Sequence, residues 1–113
     1  MVFVERAIAE AGPVPQLLDT RGCVKLAQSR LRAANEDLLA ATDAGGTPTA
    51  FLHFAWLQAE SGDLIQAEET LAHAVEIGMR AGQLHPLDQD LLSRLRSQIR
   101  GVQDASDRRG IEL

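Results

Sequence analysis

Three kinds of side chain in this sequence have chemistry to offer. They are three histidines (His53, His73, His85), one thiol (Cys23) and two adjacent carboxylate pairs, Glu36-Asp37 and Glu68-Glu69. Metal-binding histidines on a helix recur one turn apart, so that two ring nitrogens meet one ion. None of the three has a second histidine at such a spacing, so each reads as a packed or solvated side chain. Cys23 has no partner cysteine, which excludes an internal disulfide and a cysteine-rich zinc site. As a nucleophile it would need a base and an electropositive setting, whereas Asp19, one turn earlier, raises its pKa. It reads as a structural thiol. Neighbouring carboxylates on a helix more often form a solvated face, and an acid/base pair needs a pocket to work in. These residues predict no catalytic residue, no cofactor and no metal, and hence no enzyme.

Charge narrows the partners. The net charge is −5 with a pI near 5.1. Phosphate binding needs a positive footprint, so nucleic acid is not expected. Arg94, Arg96, Arg100 and Arg108-Arg109 cluster late in the chain, but Asp88, Asp90, Asp104 and Asp107 balance them. Glu5 and Arg6 interrupt the apolar start at Met1–Val4, so no signal-peptide core forms. No apolar run approaches the ~20 residues of a membrane span. The chain reads as soluble, without a membrane partner.

The elements that would position these residues are helices. The sequence of 113 residues holds 17 alanines and 16 leucines, 4% aromatics and no tyrosine. Alanine and leucine favour helix, and β-branched residues are scarce. A chain of this length supports one domain. Breaks at Gly12-Pro13, Pro15, Gly45-Gly46, Pro48, Gly62-Asp63 and Gly82 to Pro86 divide it. Helices are predicted near 3–11, 15–28, 31–44, 48–60, 64–80 and 86–101. The domain is taken as 1–103, with a loose tail over 104–113.

The chain also repeats itself. A shift of 33 residues lays 15–47 on 48–80 with seven identities: Pro15/Pro48, Leu31/Leu64, Ala34/Ala67, Glu36/Glu69, Leu38/Leu71, Ala41/Ala74 and Gly45/Gly78. Gly22 meets Ala55 and Ser29 meets Gly62. Each unit predicts a first helix, a tight turn and a second helix. Gly22 or Ala55 in the first and Ala34 or Ala67 in the second would let the two approach closely. One such hairpin cannot bury its apolar face alone, and stacking does that.

The second unit, AFLHFAWLQAESGDLIQAEETLAHAVEIG, resembles a tetratricopeptide repeat through Phe51, Phe54, Ala55, Gly62-Asp63-Leu64, Ala67, Leu71 and Ala74. The first matches through Leu18, Gly22, Ser29, Leu31, Ala34, Leu38 and Ala41. It departs at Arg21 and Lys25, where the family has an apolar and an aromatic residue. Gly46 and Met79 stand in place of the family's final proline. The resemblance implies an all-α superhelix of antiparallel hairpins, with half a repeat before them and a capping helix at 86–101. Leu87, Leu91, Leu92, Leu95 and Ile99 form one face of that cap. The resemblance further implies a concave surface built from the first helix of each repeat. Carried over position by position, it assigns partner binding to Asp19, Cys23, Leu26, Leu52, Trp56 and Glu60. Such a surface predicts a protein–protein interaction scaffold for an apolar or basic segment. The alternative is a structural end-cap or a self-association surface, hence a homodimer. Whether the strip is open or covered stays undecided at this level.

Overall fold

The computed structural model describes residues 1–12 and 14–112, with side chains to residue 102. All its regular elements are helical: α1 (Val2–Ala11), α2 (Pro15–Ala27), α3 (Leu31–Asp43), α4 (Pro48–Glu60), α5 (Leu64–Glu76), a 3₁₀ turn at Ala81–Gln83, and α6 (Pro86–Glu112). The all-α class expected from composition is what the chain adopts.

Local chemistry explains where the helices begin and end. Pro15 and Pro48 open α2 and α4 at the position where a missing N–H costs nothing. The Thr47 hydroxyl accepts from the Ala50 N–H, and Asp63 Oδ1 accepts from the Gln66 N–H, capping α4 and α5. The turns need left-handed backbone at Ser29 (φ 61°) and Gly62 (φ 87°), then again at Gly45 (φ 80°) and Gly78 (φ 110°). These are two pairs related by the 33-residue shift, so the repeat is written in the backbone as well as in side chains.

Two helix boundaries differ from expectation. α5 stops at Glu76 rather than 80, because Gly78 turns left-handed and the Met79 N–H bonds back to the Ala74 carbonyl. α6 runs on through the segment expected to be a loose tail. No proline follows Gly101, and an interior glycine costs only about 1 kcal/mol relative to alanine. Missing apolar periodicity does not by itself mean missing helix. Residue 113 of that expected tail lies outside the described residues.

α2 pairs with α3 and α4 with α5, each as a hairpin, and α3 packs on α4 to join them. α2 also touches α4, and α6 closes the far end against α4 and α5. The result is elongated, 58 × 28 × 24 Å. Ala34, Ala41, Ala55, Ala67 and Ala74 are completely buried. At Gly22 a β-carbon would lie 2.7 Å from Leu38 Cγ, so glycine sets the α2–α3 separation. One apolar cluster joins Leu26, Ala34, Leu38 and Leu57 across α2, α3 and α4. A larger one joins Leu52, Leu71, Met79, Leu91, Leu92, Leu95 and Ile99 across α4, α5 and α6. α4 serves both.

The two cations that broke the repeat pattern have a structural reason. Asp37, on α3, is buried and takes a two-pronged bond from Arg21 (Nε to Oδ2 2.8 Å, a terminal nitrogen to Oδ1 2.7 Å). Lys25 Nζ sits 2.9 Å from Asp37 Oδ2. Burial alone would raise the Asp37 carboxyl, but these two cations hold it below its usual range. Arg21 also reaches Glu5 at 3.3 Å, tying α1 to α2. Asp37 is therefore no part of a solvated acidic face, contrary to the reading of the Glu36-Asp37 pair.

Candidate functional site

The helices bring His53 between two carboxylates. Its Nδ1 lies 2.8 Å from Asp19 Oδ1 on α2, and its Nε2 lies 2.8 Å from Asp88 Oδ1 on α6. The Cys23 thiol, one turn beyond Asp19 on the same face of α2, donates to Asp19 Oδ1 at 3.8 Å. His53 is buried on α4; Asp19, Cys23 and Asp88 are half-buried. The three helices α2, α4 and α6 are thus joined by one polar ladder running through an otherwise apolar seam.

Electrostatics fixes the state of the ladder. Burial opposes a charge on His53, but the hydrogen bond and charge of Asp19, with a smaller contribution from the neighbouring Cys23, outweigh it and push its pKa up to about 11. The ring is an imidazolium at neutral pH, and both its N–H groups donate to carboxylates. Burial pushes the Cys23 thiol up as well; the nearby His53 pulls the other way and does not prevail. Cys23 is accordingly a neutral thiol.

Each end of the ladder meets a surface depression. Asp19 lines a cleft of about 210 Å³ with Pro15, Gln16, Thr20, Thr47 and Ala50. Asp88 lines a groove of about 640 Å³ between α4 and α6, with Trp56, Leu87, Asp90, Leu91 and Arg94. Trp56 is half-buried there, and Leu87 is 72% exposed.

The sequence-derived partner strip is divided by this arrangement. Leu52 is completely buried in the α4–α5–α6 cluster, and Leu26 lies in the α2–α3–α4 cluster. Neither can meet a partner, because both fill the seams that the small residues open. Asp19 and Cys23 belong to the ladder. Trp56 lines the groove, and Glu60 is exposed at the end of α4. His73 sits edge-on to Phe51, ring centroids 4.7 Å apart, and His85 Nδ1 accepts from the Leu87 N–H at the start of α6.

His53 is the residue that sequence reasoning missed. Its partners lie 34 residues before and 35 after it. Those separations are close to the repeat period, and a search for polar residues one repeat apart would have found them. Comparison with family models, with curated proteins and with solved structures finds no match to this chain.

Proposed function

We propose that the chain is a tetratricopeptide-like interaction module, with α2/α3 and α4/α5 as its two repeats, α1 as half a repeat and α6 as the cap. Supporting this reading are the paired left-handed turns one period apart and the buried alanines at equivalent positions. In this reading α2, α4 and α6 are first helices of successive units and offer a shared face to a partner.

The observation that carries the function is the groove of about 640 Å³ with a half-buried tryptophan at one wall and exposed Leu87 at the other. An apolar side chain of a partner segment would enter between Trp56, Leu87 and Leu91. Tryptophan in such a place is a frequent energetic anchor. Asp90 lines the groove and Glu60 stands exposed one turn beyond Trp56. Arg94 is the cation of the same lining, and the carboxylates outnumber it, which favours basic residues flanking the apolar one.

The test uses Trp56, the sole tryptophan of the sequence. Amphipathic helical peptides with basic flanks are titrated in, alongside the same peptides with acidic flanks. A blue shift and protection from acrylamide with the basic set, weakened by salt, supports the reading. Emission unmoved by every peptide at high micromolar concentration counts against it. A second reading, self-association, is favoured by one observation: Phe3 and Val2 on α1 are 84% and 77% exposed. It requires a sedimentation coefficient that rises with concentration and falls back in a Phe3→Ser variant.

A further inference from the structure

We propose that Asp19, Cys23 and His53 form a zinc-binding site, with Asp88 orienting the histidine ring from behind. A carboxylate oxygen, Sγ and Nδ1 of these residues all lie within 4.8 Å of one another. Ligands at tetrahedral zinc bond lengths stand about 3.3–3.8 Å apart. Cys23 Sγ is already 3.8 Å from Asp19 Oδ1, and the Asp19–His53 contact of 2.8 Å must open slightly. Asp19 and Cys23 project from one face of α2, so only side-chain rotation is required of that helix.

The donor set selects the metal. One sulfur, one imidazole nitrogen and one carboxylate oxygen suit a borderline-soft ion, whereas calcium and magnesium take oxygen alone. Asp88 Oδ1, at 2.8 Å from Nε2, holds the ring with Nδ1 facing Asp19 and Cys23. That is the carboxylate–histidine–metal relay that raises ligand basicity in zinc sites. Of the three ligands, Asp19 lines a surface cleft of about 210 Å³. Three protein ligands leave the fourth position to water.

Zinc binding requires Nδ1 and Sγ to be free of protons, so the affinity should rise with pH.

The test begins with the full chain freed of metal by a chelator and titrated with Co²⁺. The expected result is one equivalent bound, with a thiolate-to-cobalt band in the near ultraviolet, and displacement by Zn²⁺. In the unmodified chain, Zn²⁺ should also slow alkylation of Cys23, a readout that needs no variant. Asp88→Asn should weaken Zn²⁺ binding by about 10–100-fold while keeping the band. A missing thiolate band, or an alkylation rate unmoved by Zn²⁺, would overturn the proposal and leave the ladder as a proton-holding clamp. Retained Zn²⁺ affinity in Cys23→Ser would overturn it as well.

Discussion

At the scale of single residues, two buried charge arrangements set how the fold responds to pH. His53 titrates near 6.5 when unfolded and about 11 in the fold, burial being outweighed above all by its bond to Asp19. A raised pKa contributes stability that is complete below about 6.5 and is lost as pH climbs toward 11. Cys23, raised above its ordinary 9.0 by burial, adds a loss of the same sign on the alkaline side. The melting temperature of the chelator-treated chain should therefore fall between about pH 7 and 10. His53→Gln should flatten that fall; an equally steep fall in the variant would remove His53 as its cause. Asp37 acts at the other end of the scale. Its lowered pKa contributes stability above about 3.8 that is lost as pH drops through the folded value. Asp37→Ala takes the acceptor from Lys25 and leaves Arg21 only the exposed Glu5; their side chains are 13% and 20% exposed. The cost should be about 2–4 kcal/mol in a urea titration, slightly under that of a fully buried pair. A loss below 1 kcal/mol would mean that water replaces the carboxylate.

At the scale of elements, the first hairpin turn is a poorer copy of the second. Ser29 holds φ at 61°, where a side chain costs about 1–2 kcal/mol, and Arg30 gives α3 no side-chain cap. Gly62 and Asp63 meet both needs in α5. Ser29→Gly with Arg30→Asp should stabilise the chain by about 1–2 kcal/mol. An unchanged urea midpoint would deny that the two turns are equivalent. The reverse is expected at Gly22. Gly22→Ala adds helix propensity but drives a methyl into Leu38, which is completely buried, for a net loss of about 1–2 kcal/mol. Such local rules are why the helices were legible: proline, glycine and the 33-residue echo mark their boundaries, the ends of α5 and α6 excepted. Where the rules fail, the cause is tertiary. Arg21 and Lys25 read as flaws in a repeat until Asp37, on the next helix, supplies their acceptor. Leu26 and Leu52 read as surface because position in a repeat does not say which seam a leucine fills. The ladder was illegible for the same reason, since three helices that never adjoin in sequence must stack before His53 meets Asp19 and Asp88.

At the scale of the whole molecule, the buried apolar side chains of the described residues gather in two clusters rather than one. In the repeat reading proposed above, helices hold by neighbour contacts, so each is as stable as what it touches. α4 belongs to both apolar clusters and carries the middle of the ladder. α1 has no buried residue, and Arg21–Glu5 is its polar tie to α2. Amide exchange should rank accordingly: α4 slowest, α2, α3 and α5 next, and α1 near the rate of an open chain. Breaking the ladder should loosen this order in a particular way. Asp88→Ala removes the tie between α6 and α4 while Leu91, Leu92, Leu95 and Ile99 remain to pack. Exchange should then quicken at the start of α6, with α2 and α3 unchanged. If α2 and α3 quicken equally, the ladder is a global clasp, and the stack behaves as one cooperative unit instead of a chain of neighbours.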